Sequence, residues 1–208
     1  MTGRFADMPM GEFAARLADK VPSPGGGAVA AVTLAHAAAL GSMVLRYTVG
    51  RPAFATHEVA NSDALARLDA TRTAALALAD RDAAAYARLA DLWKLPAGDA
   101  RRDREFGAAL QEAIDAPLAI VREAAQVAET LHALPTRTNA RLGSDLAIAA
   151  SLAATSADAA AWNVHVNLPS LADRAGATRV ATDTDGMVDR ARRLAAETVE
   201  AVRRGKPA

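Results

Sequence analysis

Between Val21 and Leu45 the chain runs for 25 residues without an Asp, Glu, Lys or Arg. A segment that long and that apolar folds only if something covers it on nearly every side, so it constrains the architecture more than any other stretch. Length alone would allow a membrane span. Its first third, "VPSPGGG", opens a helix rather than continues one, and the remainder is mostly Ala with Thr33, His36 and Ser42 mixed in. No second such segment and no flanking Lys/Arg cluster accompanies it. The reading is a central helix buried among other helices, with no membrane partner.

Almost everything else has helical period. A short helix is predicted over Met10–Asp19, with Pro9 in its first turn. The glycine-led helix ends near Tyr47–Gly50, where "VGRP" supplies a C-terminal glycine and a proline stop. His57 to Leu95 contains neither Gly nor Pro and reads as one helix about 55 Å long. A second long region, Arg104 to Leu134, contains Pro117, which should kink or split it after Asp115. Helices resume from Ser144 to Trp162 and from Thr184 to Arg203. "NVHVN" resembles a strand but stands alone, and a lone strand is unstable. The expectation is an all-α protein, a single-domain bundle of six or seven helices over residues 1–208. Aromatics make up only 4% of the chain, so the core must be built from Ala, Leu and Val. Long amphipathic helices with so few aromatics predict a homodimer that buries apolar faces against a second copy.

Charge and cysteine content narrow the function. Lys+Arg and Asp+Glu are both 24, which leaves no global positive field for a nucleic acid. The absence of cysteine excludes disulfides, thiolate metal sites and a cysteine nucleophile. "MTGRFADMPMGEF" lacks the apolar core of an export signal, so the protein is expected to be cytoplasmic.

The three glycines Gly25, Gly26 and Gly27 need an explanation, since each costs a helix about 0.8–1.0 kcal/mol relative to alanine. "GGGAVA" fits a dinucleotide fingerprint formally, but it follows a helical segment and no acid lies about twenty residues downstream to hold a ribose. Two readings stay open. With Ser23 as cap and Pro24 presetting the first turn, the glycines expose N–H groups at a positive helix end to a carboxylate, carbonyl or flat heterocycle. Alternatively they let another helix cross at close range.

"PSPGGGAVAA" with "ALGSMVLRYTVG", "DRDAAAYARLADLWKLP", "AIDAPLAIVREAAQVAE" and "TNARLGSDLAIAASLAATSADAAAWNVHVNLPSLAD" resembles the cyclodeaminase/cyclohydrolase family, in order and over nearly the whole chain. The resemblance implies an all-helical dimer that binds a reduced folate, with the glycine turn (Ser23, Pro24, Gly25, Gly26, Gly27) lining its site. It implies chemistry at the carbon bridging N5 and N10 of tetrahydrofolate: hydrolysis of the 5,10-methenyl form to the 10-formyl form, or closure of an N5-formimino group with loss of ammonia. Neither needs a metal or a redox cofactor; the tetrahydrofolate derivative is the substrate. A non-catalytic helical dimer that binds folate or a partner protein is the competing class. The hydrolysis is preferred because the sequence carries no formiminotransferase segment.

Both reactions spread positive charge over an amidinium, which a neighbouring carboxylate would stabilise while accepting a proton from water. Asp145, beside Ser144 in the family-like "SD" element, is the first choice for that carboxylate. Its competing account is an acid in a helix's first turn, with Arg141 four residues earlier. Asn163 and Asn167 lie one helical turn apart and suit the donor–acceptor edge of a pterin, unless Asn167 merely ends a helix before Pro169. Asn139 is a further binding candidate, or a turn residue. Where the family has a lysine-rich stretch, this chain reads "YTVGRPAF". Arg51 there can attach an anion but is ill suited to proton transfer, and His57 is the nearby proton carrier. His36 reads as a core residue, His132 as a helix-end charge, and His165 as pointing away from the asparagines. The four histidines show no metal-ligand spacing. Arg101–Glu105 and the terminal "VRRGKPA" read as solvated surface.

Overall fold

The computed structural model describes residues 4–205, and among these it forms six α-helices and no strand. They are α1 (Met10–Ala18), α2 (Gly26–Arg46), α3 (Glu58–Trp93), α4 (Ala100–His132), α5 (Gly143–Asn167) and α6 (Arg174–Arg204). Short 3-10 turns at Phe5–Asp7, Pro52–His57, Ala140–Leu142 and Leu168–Ser170 join or precede them.

α2 lies at the centre, packed by α3, α4 and α5. Ala28, Ala30, Ala31, Ala35, Ala37 and Ala38 are buried along it, and small side chains let the neighbouring helix axes come close. The approach is near enough for the buried Ser156 hydroxyl on α5 to donate to the Ala30 carbonyl on α2 at 2.8 Å. α2 and α5 run antiparallel: Asn163 stands beside Gly26, while Leu152 shares a hollow with His36 and Met43. By length and composition α2 could cross a bilayer, yet most of its apolar surface is buried inside the bundle.

One face of this α2–α5 pair stays open. Val29, Val32, Thr33, His36, Ala39, Leu40 and Met43 of α2 are partly or fully exposed on it, and α5 adds Ile148, Leu152 and Thr155. No Asp, Glu, Lys or Arg lies on α2 before Arg46, or on α5 between Asp145 and Asp158.

Three boundaries differ from the sequence expectation. α4 runs unbroken through Pro117, and it starts earlier, at Ala100, because Asp99 Oδ1 accepts from the N–H groups of Arg101 and Arg102. α5 continues past Trp162 to Asn167, so "NVHVN" is helical, with Val164 buried and Val166 exposed. α6 begins ten residues before Thr184, capped by Asp173 Oδ1 on the Gly176 N–H.

The exposed Arg101 and Arg104 reach the half-buried Glu105, and the exposed Arg203 and Arg204 reach Glu200. Lys206, Pro207 and Ala208 lie outside the described residues. His132 stands 3.5 Å from Glu197, and His165 turns toward α6 to bond Asp185 at 2.8 Å.

Candidate active site

The glycine turn opens onto a cleft of about 450 Å³ between the start of α2, the second half of α3 and the end of α5. Pro22, Ser23 and the three glycines form one wall, Asp82, Tyr86 and Trp93 of α3 a second, and Asn163, Val166 and Asn167 of α5 a third. Ser23 lines the cleft but is not the helix cap. Gly25 occupies that position in an extended conformation, and no side chain caps α2. Pro24 is buried behind the turn and lies outside the cleft lining.

The glycines have separate jobs. A Cβ on Gly27 would overlap the carboxylate of Asp82, so only bare backbone lets that group lie against the first turn of α2. A Cβ on Gly26 would meet the Asn163 amide at 3.8 Å, an ordinary contact. Both readings of the glycines therefore apply: they permit a close approach, and what approaches is a carboxylate that lines a cleft.

Asp82 is the residue that sequence reasoning missed. Burial pushes its carboxyl up to about 6. Among the described residues no Lys, Arg or His lines the cleft with it. A signal was present. Leu68, Ala75, Ala79 and Leu89 are buried along one stripe of α3, and Asp82, three residues after Ala79 and seven before Leu89, falls on it, with the exposed Tyr86 and Trp93 continuing the stripe into the cleft. An acid on an apolar stripe must either be paired or be used.

The two asparagines meet as their spacing predicts, because α5 stays helical through both. Asn163 Nδ2 donates to the Ala159 carbonyl at 3.1 Å. Asn167 Nδ2 donates to the carbonyls of Asn163 at 3.0 Å and Ala113 at 3.1 Å. Asn167 thus spends both of its N–H groups on backbone and Asn163 one of its two, and each leaves its oxygen as an unused acceptor. The bond to Ala113 explains why α4 does not break. Pro117 has no N–H, so the carbonyl four residues earlier loses its helical partner, and Asn167 replaces it.

The remaining sequence candidates gather elsewhere. Arg51 and His57 flank the 3-10 turn after α2, and Ser144 and Asp145 sit in the first turn of α5. Asn139 caps the Ala140–Leu142 turn by accepting from the Arg141 N–H, and its own N–H reaches the Thr48 hydroxyl at 3.4 Å. These five residues occupy the opposite end of the bundle. Eighteen residues of helix separate Asp145 from Asn163, about 27 Å. Within one chain Asp145 cannot share a ligand with the glycine turn.

A family model described as formiminotransferase-cyclodeaminase matches residues 9–186. The chain is 30% identical over 191 residues to the methenyltetrahydrofolate cyclohydrolase of Methylorubrum extorquens, covering 90% of this chain and 92% of that protein. It is 31% identical over 192 residues to the formimidoyltransferase-cyclodeaminase of Sus scrofa, of which it spans only 36%. The bundle superposes on the crystal structure of formiminotetrahydrofolate cyclodeaminase from Thermotoga maritima with a TM-score of 0.83 and 25% identity, over 94% of this chain and 97% of that one. With its helices matched end to end and its sequence matched from residue 9 to 186, this chain belongs to the formiminotransferase-cyclodeaminase family.

Proposed function

We propose that the cleft hydrolyses 5,10-methenyltetrahydrofolate to 10-formyltetrahydrofolate. One observation carries the reading: among the described residues, the group that lies against the glycine turn is a half-buried carboxylate, and no Lys, Arg or His of the cleft lining neutralises it. Such a site favours a ligand that brings its own delocalised positive charge, as the methenyl amidinium does. The asparagine oxygens and the bare α2 backbone supply acceptors and donors for the flat edge of the pterin.

The step follows from the charges. As water adds to the bridging carbon, Asp82 accepts one of its protons, and the amidinium becomes a neutral tetrahedral carbon. The bond from that carbon to N5 then breaks with its electron pair on N5. N5 takes the proton back from Asp82, and the second water proton is lost to solvent as the N10-formyl carbonyl forms. No net oxidation occurs. General acid–base assistance of this kind contributes about 10²–10⁴-fold.

The hydrolase is preferred over the deaminase on the likeness to a relative with that name, 30% identical over 90% of this chain. The name of the similar solved structure supports the second reading, in which the same cleft closes an N5-formimino group and releases ammonia. Following methenyltetrahydrofolate absorbance with purified protein tests the first, and ammonia release from the N5-formimino compound tests the second. No binding of either compound would leave the non-catalytic class. We further propose a cytoplasmic homodimer, supported by the cysteine-free composition and by the uncharged open face of α2 and α5. Light scattering that shows a stable monomer at micromolar concentration would contradict the dimer.

A further inference from the structure

Tyr86 and Trp93 line the cleft and have no part in the chemistry derived above. The chain has two Trp and two Tyr in 208 residues, and one of each stands on this wall. Neither serves the core, since Tyr86 is 47% and Trp93 45% exposed. We propose that these two rings form the surface on which the pterin lies, and that the aminobenzoylglutamate half of the folate leaves through the mouth of the cleft. The assignment rests on the folate reading above and adds which half of the substrate is held, and by what.

The register of the walls sets the direction. Asp82, Tyr86 and Trp93 follow one another at four and seven residues, so they fall within about 40° of one line on α3 and span about 16 Å. Gly27 lies against Asp82 and Gly26 beside Asn163, which puts both side chains at one level, the start of α2. α3 is antiparallel to α2, because Arg46 bonds Asp69 while Gly27 meets Asp82, so α3 and α5 leave that level in the same direction. Asn167 is then one turn beyond Asn163, as Tyr86 is one turn beyond Asp82, and Leu89 packs with Val164 and Leu168 at that end. In the other direction α3 enters the core, where Ala75 and Ala79 have no exposure. A folate whose bridging carbon meets Asp82 can therefore send one half along Tyr86 toward Trp93, and the other only out of the mouth.

Chemistry selects the pterin for the inner place. Beyond Asp82 the lining is Tyr86, Trp93, Ala113, Val166 and Asn167, apolar surface with one amide at its edge. Both N–H groups of that amide are given to backbone, so its oxygen can only accept, and the pterin edge carries an amino group and a ring N–H that donate. The flat faces of the heterocycle match the exposed aromatic rings. The aminobenzoylglutamate would instead bring two carboxylates to a lining that holds no Lys, Arg or His among the described residues. The cations next to this wall in sequence are engaged: Lys94 bonds Asp91 at 2.7 Å and Arg88 bonds Glu112 at 2.8 Å.

Trp93 can report on its own occupancy once Trp162, which lies outside the cleft lining, is replaced. In a Trp162→Phe protein, 6-hydroxymethylpterin should quench the emission of Trp93 saturably, with free tryptophan as the control for light that the pterin absorbs. The other half of the substrate, p-aminobenzoylglutamate, should leave that emission unchanged. In the same background Tyr86→Leu should weaken pterin binding about tenfold or more, as loss of a stacking ring does. Tyr86→Phe should bind like its parent, because the ring and not the hydroxyl is used. On 5,10-methenyltetrahydrofolate, Trp93→Leu should raise KM about tenfold with kcat nearly unchanged, since the contact holds a part of the substrate that does not react. Quenching by p-aminobenzoylglutamate in place of the pterin, or pterin binding that Tyr86→Leu leaves intact, would overturn the assignment while the folate reading stands. A protein that neither binds nor turns over methenyltetrahydrofolate, and whose Trp93 responds to neither fragment, would end the folate reading and the assignment with it.

Discussion

The side-chain amide of Asn167 donates to the Ala113 carbonyl, 3.1 Å away on another helix, at the point where Pro117 deprives that carbonyl of its own helical partner. A defect in α4 and an amide at the end of α5 are thereby one structural unit, and that unit forms part of the cleft wall. Asn167→Leu removes the donor and leaves a carbonyl unsatisfied. Urea melts should show a loss of about 1–3 kcal/mol. A loss below a few tenths would mean that water satisfies Ala113 as well as Asn167 does.

The glycine turn yields a contrast between neighbours. Gly26→Ala places its methyl in ordinary contact with Asn163 and should bind and turn over nearly as wild type. Gly27→Ala drives its methyl into the Asp82 carboxylate, which must swing away. Turnover should then fall at least tenfold while the melting temperature moves by only a few degrees, because one short side chain relieves the clash. Equal activity in the two variants would separate Asp82 from the chemistry.

Asp82 also sets the pH dependence. Burial raises its folded value to about 6, from 3.8 for an unperturbed carboxyl. The folded state thus favours the protonated form. The stability this group contributes is full below the unfolded value and is lost as pH rises through about 6. Asp82→Asn should therefore melt higher than wild type at pH 8, by on the order of 1–3 kcal/mol, and match it near pH 4. The kcat/KM of the wild type should rise with pH through about 6 and then level, as the base loses its proton. A wild type whose melting and activity are both flat between pH 5 and 8 would contradict the assignment.

Much of this was legible in the sequence, and the failures have physical causes. The buried central helix followed from an uncharged run that nothing but other helices can cover. The pairing of Asn163 with Asn167 followed from spacing alone. The break expected at Pro117 did not occur because its repair comes from a residue fifty positions away, beyond the reach of any local rule. Asp82 is hidden inside "DRD", where Asp80 and Arg81 make it look like one more solvated charge; only the register of α3 sets it apart. Asp145 stands out by its motif, and no sequence pattern reveals that α5 holds it about 27 Å from Asn163, at the other end of the bundle from the glycines.

In the proposed reaction Asp82, lying on the bare backbone of Gly27, takes a proton from water as it attacks the methenyl carbon. Asp82→Asn keeps the shape and removes the charge, so turnover of 5,10-methenyltetrahydrofolate, followed by its absorbance on a protein of verified helicity, tests the claim directly. The expected loss is about 10²–10⁴-fold in kcat. A folded Asp82→Asn protein that hydrolyses the substrate at the wild-type rate would contradict it.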